Sequence, residues 1–297
     1  MRSPRAIAIL EGLAATLIWA SSYVLVKILV ADIGPLTLAG LRYFLGFLLL
    51  LPFLRRGRGV QGISRRTWLD LSLAGLAAYT VGNGAMYAGL KHLSPTTVTF
   101  LVGIVPLFIL FLGIFFLKEV PTWIQVVGVF VTLGGNAVYF INGLDAGEPL
   151  GIAWVALGVV GFTAFGILGR KVAKARSAGT LALTTIPLGV GGAVTLALAL
   201  PLEGVPVLTP QAVGILFWLA AVNTALAYLL YNHALKTITA LEMNVLLNLS
   251  PLATALLSFW MLGDRATPAE LLGIGLMIFG VSLVQVRKSG SAVVAEV

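Results

Sequence analysis

The residues of this chain that could do chemistry are polar side chains set at helical spacing inside otherwise apolar runs. Tyr79, Asn83 and Tyr87 recur every fourth residue, as do Asn244 and Asn248. That interval stacks side chains on one face of a helix. Thr99, Asn223, Trp19 and Ser22 are further polar or amphipathic groups within apolar stretches. An amide or hydroxyl in hydrocarbon needs a hydrogen-bond partner or water. Each of these groups alone could bond a neighbouring helix; as a set they read as the wall of a wet cavity. The chemistry they offer is reversible binding. Trp19, Tyr79 and Tyr87 supply apolar and cation–π surface, and Ser22, Asn83, Thr99, Asn223, Asn244 and Asn248 supply hydrogen bonds. Trp19 is too deep in its run to be an interfacial anchor. Trp154 reads equally as anchor or cavity wall, and Trp68, Trp123, Trp218 and Trp260 as anchors or packing.

Covalent and metal chemistry have little to stand on. There is no cysteine, and the two histidines, His92 and His233, sit at the ends of separate apolar runs. No H-E-x-x-H, G-x-x-x-x-G-K-[ST] or G-x-S-x-G occurs. Neither an enzyme nor an ATP-driven pump is expected, and no cofactor or metal. Glu11 and Glu242, each about a turn inside a run, are either proton sites or interfacial pairs. Arg42 is deeper and must have a partner or line water. Lys118 and Glu119 suggest a local salt bridge or a helix cap.

The elements that position these residues follow from composition. Of 297 residues 59% are hydrophobic and 10% charged, with a mean hydropathy of +1.03. Soluble domains carry about 25% charge. The apolar runs are continuous and about 20 residues long, the length that crosses a bilayer as a helix. The expected fold is therefore an all-α polytopic membrane protein. Ten spans are expected, at 6–30, 35–54, 68–90, 95–117, 121–141, 149–170, 178–201, 210–232, 238–262 and 268–287. The net charge of +8 does not indicate nucleic acid, because the basic residues lie in short loops. With the N-terminus cytoplasmic, only Lys27, Lys91 and Arg265 of the 19 basic residues fall outside, and Arg42 lies within a span. That bias puts both termini inside.

The stretch from Tyr87 to Gly135 recurs from Tyr231 to Gly280. Leu90-Lys91 matches Leu235-Lys236, Leu117 matches Leu262, Glu119 falls on Asp264, and Gly128 matches Gly273. Thr99 maps onto Asn244 and Tyr79 onto Asn223. Pro106 matches Pro251, both mid-span, as paired hinges or as static kinks. Residues 1–145 and 146–297 thus form two repeats of five spans. An odd number inverts the second repeat across the membrane, with a central cavity where the halves meet.

The run Leu17-Ile18-Trp19-Ala20-Ser21-Ser22 with Lys27, PLTLAGLR from Pro35 to Arg42, YAGLKHLSP, Pro106, and Leu117-Lys118-Glu119 followed by Gln125 and Gly128 resemble the EamA family of the drug/metabolite transporter superfamily. Gly263-Asp264 departs from the usual Gly-Glu turn. The overall pattern is similar to bacterial YddG-type amino-acid exporters. The resemblance implies ten helices and a central cavity walled by both halves. It also implies export of amino acids or other small metabolites across the bacterial inner membrane. The expected activity is a secondary carrier for amino acids, aromatic ones as candidates, rocking on Pro106 and Pro251. Its partners would be the small-molecule substrate and the lipid bilayer, as a monomer or weak dimer. Broad drug or metabolite export is the alternative, and a non-transporting scaffold the reading from another class.

Overall fold

The computed structural model describes residues 3–56, 60–142, 148–253 and 267–286, and these are largely helical with no strand among them. The helices are α1 (Pro4–Leu29), α2 (Pro35–Arg56), α3 (Arg65–Gly75), α4 (Gly84–His92), α5 (Pro95–Val102), α6 (Val105–Leu117), α7 (Trp123–Phe140), α8 (Pro149–Lys174), α9 (Thr180–Glu203), α10 (Pro210–Ala220), α11 (Ala227–Ala234), α12 (Ala240–Leu247) and α13 (Pro268–Gln285). Eight helices among the described residues are long and apolar enough to cross a membrane. The stretch 65–92 is continuous helix too, but opens on Arg65, Arg66 and Asp70. The expected span ends agree with the helix ends to within a few residues. The outer part of 238–262, with Trp260, Leu262 and the turn at Asp264–Arg265, lies outside the described residues. Arg58, Asp145, Arg287 and Lys288 do as well, as do the side chains of Tyr23 and Lys27.

Short polar side chains start the helices. Ser64, Ser94 and Thr122 accept from the backbone N–H groups of Thr67, Thr97 and Gln125. Thr209, Thr239 and Thr267 accept from Ala212, Glu242 and Glu270. Each such cap satisfies an amide that the first turn leaves unpaired. Thr122, Thr239 and Thr267 form reciprocal capping boxes. The second three caps follow the first three at one spacing, 145 residues, the separation of Gly103 and Asn248.

Two further irregularities keep that spacing. A π-helical segment, Leu76–Asn83, joins α3 to α4, and another, Ala221–Leu226, joins α10 to α11. Their common start aligns Tyr79 with Thr224 and Asn83 with Tyr228. This corrects the expected match of Tyr79 with Asn223, which was one residue out of register. The second irregularity is an interruption. α5 ends at Val102 and α6 begins at Val105; α12 ends at Leu247 and helix resumes at Ser250. Pro106 and Pro251 each occupy the second position of the restarting helix, where no intrahelical N–H is needed. The chain breaks two to three residues before each proline rather than bending at it. The Asn248 side-chain amide donates to Gly103 O at 2.9 Å and ties one break to the other.

Close backbone approach holds α7 against α13. A Cβ on Gly128 would lie 2.7 Å from Gly280 O, and one on Gly135 would lie 2.8 Å from Gly273 O. Lipid-facing packing of this kind relies on small residues because hydrocarbon gives no hydrophobic drive. Around the bundle the outward side chains are apolar, Phe115, Trp123 and Leu202 among the most exposed.

Candidate functional site

A cavity of about 150 Å³ lies at the centre of the bundle. α1 contributes Thr16, Trp19, Ser22 and Val26, and α2 contributes Arg42 and Tyr43. Asn83 and Tyr87 reach it from the stretch 76–92, Thr99 from α5 and Pro106 from α6. From the later part of the chain come Phe162 and Phe165 on α8, Tyr228 and Tyr231 on α11, and Asn244 on α12, with Asn248 at the break.

Of the nine expected binding residues, the structure brings Trp19, Ser22, Asn83, Tyr87, Thr99, Asn244 and Asn248 to this cavity. Tyr79 and Asn223 stand behind its wall, each wholly buried. The Tyr79 ring packs against Tyr43 at 4.4 Å and Tyr228 at 5.3 Å between centroids. Asn223 donates its amide to Ile18 O at 2.6 Å and Ser21 Oγ at 3.0 Å, joining the second π segment to α1. Pro106 lines the cavity and Pro251 does not, although its neighbour Ser250 does.

The aromatic wall is larger than the sequence suggested. Trp19 meets Tyr228 at 4.8 Å and Tyr231 at 5.6 Å, and Phe165 stacks on Tyr231 at 5.6 Å. Tyr228 and Tyr231 were not singled out in the sequence. The register fixed by the π segments pairs them with Asn83 and Met86, two cavity residues of the earlier repeat, and that pairing was the available signal.

Each π segment frees a carbonyl that a side chain then takes. Widening the turn disrupts the i→i−4 ladder. Ala78 O accepts from the Asn83 amide at 2.8 Å. The equivalent carbonyl, Asn223 O, accepts from Trp19 Nε1 at 2.9 Å and from Arg42 Nη2 at 3.0 Å. Arg42 also donates from Nε to Thr224 Oγ1 at 2.8 Å, and from Nη1 to Ser22 Oγ at 2.7 Å and Tyr87 OH at 2.8 Å. Ser22 and Tyr87 are thus engaged in holding a guanidinium at the cavity edge. Asn244 donates to Ala240 O at 2.9 Å, within its own helix.

One end of the bundle carries a group of ion pairs. Arg5 bonds Glu242 at 2.7 Å and Gln285 O at 2.9 Å, so the first and last described helices meet there. Glu11 meets His233 Nδ1 at 2.8 Å, Arg170 meets Glu119 at 2.7 Å, and Lys171 meets Asp70 at 2.8 Å. Glu11 and Glu242 are therefore in polar pairs beyond the cavity rather than in its wall. Of the two readings of Lys118 and Glu119, the helix cap holds, with Lys118 the left-handed C-cap of α6, while the Glu119 salt bridge is not local but reaches Arg170, 51 residues away. At the opposite end His92 meets Glu148 at 2.7 Å. The Glu203 carboxylate accepts from the first N–H groups of α2, at Leu36 and Thr37. Trp154, 38% exposed, faces outward.

Comparisons with known proteins agree with this architecture. An uncharacterized transporter of Archaeoglobus fulgidus is 26% identical, over 92% of this chain and 95% of its own. The S-adenosylmethionine/S-adenosylhomocysteine transporter of Chlamydia trachomatis is 26% identical over 90% of this chain and 85% of its own. The uncharacterized inner membrane transporter YedA of Escherichia coli is 26% identical over 92% and 88%. A crystal structure 18% identical in sequence superposes with a TM-score of 0.79, covering 95% of this chain and 98% of that one. The EamA-like transporter family model matches twice, at residues 6–141 and 149–286. With nearly its whole length accounted for by these two matches, and with eight described helices long and apolar enough to cross a membrane, the chain belongs to the EamA-like transporter family.

Proposed function

We propose that this chain is a secondary transporter that exports amino acids and related small metabolites across the inner membrane by alternating access. In this reading ten helices form two inverted five-helix repeats, 1–145 and 146–297, with both termini cytoplasmic. The observation that carries it is the cavity itself, walled from both repeats by aromatic rings and amides. Trp19, Ser22, Asn83, Tyr87, Thr99, Asn244 and Asn248 would contact the substrate, with Tyr79 and Asn223 supporting them. The interruptions before Pro106 and Pro251 are the hinges, and the ion pairs around Arg5, Glu11 and Arg170 seal the cytoplasmic side.

Size favours a small substrate. Pockets for drug-sized ligands run to several hundred Å³, and this cavity holds about 150 Å³. The chlamydial relative carries, by its name, S-adenosylmethionine, itself an amino acid with a bulky substituent. A substituent of that size would need the aromatic wall of this chain to open. The test is flux into proteoliposomes over a panel of labelled amino acids, S-adenosylmethionine and a cationic dye, with and without a proton gradient. Amino-acid flux above that of empty vesicles supports the assignment. Dye flux alone would move it to broad drug export, and no flux with any substrate would refute transport.

A further inference from the structure

Arg42 is a buried cation that no carboxylate among the described residues balances. It lies in α2 with 3% of its surface exposed and its side chain at the cavity wall. Each of its hydrogen-bond partners is neutral: Ser22 Oγ, Tyr87 OH, Thr224 Oγ1 and Asn223 O. The Tyr43 ring, 5.2 Å from the guanidinium carbon, adds a cation–π contact. Among the described residues no Asp or Glu oxygen comes within 4.0 Å of it, since the ion pairs found there use Arg5, Arg170, Lys171, Lys174 and the two histidines. Arg170 makes the contrast. It is about as buried, at 8%, and is paired with Glu119 at 2.7 Å.

Hydrogen bonds to neutral groups orient a guanidinium without cancelling its charge. Four donations leave one of the five N–H groups unused, on Nη2. The holders come from α1, α4 and the second π segment, so the fork is fixed from several sides before any ligand arrives. A charge kept in a membrane interior at this cost is a functional site by default, and its partner is to be named. Arg42 lines the cavity, and a mobile partner can reach it from there.

We propose that Arg42 is the anchor for a carboxylate of the transported molecule, with the Trp19, Phe165, Tyr228 and Tyr231 rings receiving the rest. This inference rests on the transport reading above and narrows it. Substrates are molecules with a free carboxylate, and cations lacking one are disfavoured despite the aromatic wall. The unused N–H on Nη2 can make a charge-assisted hydrogen bond to one carboxylate oxygen, while the four held N–H groups keep the positive charge facing the cavity.

The test separates anchoring from transport. Thermal unfolding of the detergent-solubilised protein is followed with phenylalanine, phenylalaninamide and phenethylamine, and the same compounds compete for flux in proteoliposomes. The native protein should be stabilised by the acid at about tenfold to hundredfold lower concentration than by the amide or amine, the worth of a charge-assisted hydrogen bond. Arg42→Gln should erase that ratio, and Arg42→Lys should keep part of it. If Arg42→Gln lowers the melting temperature but leaves the acid-to-amide ratio as in the native protein, Arg42 is only a structural pin and the proposal is overturned. Equal stabilisation of the native protein by acid and amide overturns it as well. Carboxylate-dependent stabilisation without flux would leave the anchor standing and remove the transport reading instead.

Discussion

The contact between α7 and α13 allows a direct calculation of what a single methyl group should do. A Cβ on Gly135 would lie 2.7 Å from Met277 N, 2.8 Å from Gly273 O and 2.9 Å from Leu276 Cβ. Ordinary contact begins at 3.4 Å, so the two helices must part locally by about 0.7 Å, the difference between 3.4 and 2.7 Å. Two of the three obstacles are backbone atoms and cannot rotate away. Overpacking of this kind costs ~1–3 kcal/mol. Alanine also favours helix over glycine by about 1 kcal/mol, so the gross effect needs a reference. Gly134 provides it: the neighbouring position has nothing within 4 Å of an added Cβ. Gly134→Ala should hold or raise stability, and Gly135→Ala should fall below it by ~1–3 kcal/mol. The assay is thermal unfolding in mild detergent followed by intrinsic tryptophan fluorescence. Gly275→Ala, likewise open, and Gly273→Ala, which meets Tyr139 N at 2.6 Å, repeat the comparison on the facing helix. If Gly135→Ala melts with Gly134→Ala, close backbone approach does not hold these helices together.

The ion pairs, the aromatic wall and one perturbed lysine each carry a further expected outcome. Glu119→Gln removes the carboxylate beside buried Arg170 and should cost ~3–5 kcal/mol; Glu119→Leu with Arg170→Met should recover most of it, and equal losses in the single and double variants would contradict the pairing. Trp19→Ala should cut flux about tenfold or more, through loss of the ring packed on Tyr228 and of the bond to Asn223 O, whereas outward-facing Trp154→Ala should leave flux near native. The Lys236 amine is held below its usual pKa by burial and then by Arg176. Its acylation should therefore reach half-maximal rate at lower pH than that of a free lysine side chain. Arg176→Ala should move that midpoint only part of the way up, because burial remains; an unchanged midpoint would exclude Arg176 as a cause.

Legibility differed between fold and site for physical reasons. Helix positions came through because continuous apolar runs of bilayer length, started by Ser, Thr and Pro, have few other solutions in lipid. The polar stripe at Asn83 and Tyr87 and the pair Asn244 and Asn248 were visible because their spacing is that of one helix face. The interruptions were seen only as prolines, since a proline signals a missing N–H but not which carbonyls upstream go free. Tyr228 and Tyr231 were hidden among ordinary span aromatics until a register fixed to the residue paired them with Asn83 and Met86. Arg42 was visible as a deep charge. That its holders would all be neutral could not be read from α2, because they come from α1, α4 and the second π segment.

The paired π segments also show how one irregularity is used twice. A π turn holds one residue more than an α turn, so it loosens a helix at one defined place. Both copies carry it at the same place, beginning at Leu76 and at Ala221. The family model likewise matches the chain twice, at residues 6–141 and 149–286. The two copies differ in what the loosened carbonyl serves, an amide of its own helix at Ala78 and a tryptophan and an arginine from other helices at Asn223. One backbone irregularity, kept at one place in both copies, is thus a bond within its own helix in the first and a crossing point with α1 and α2 in the second.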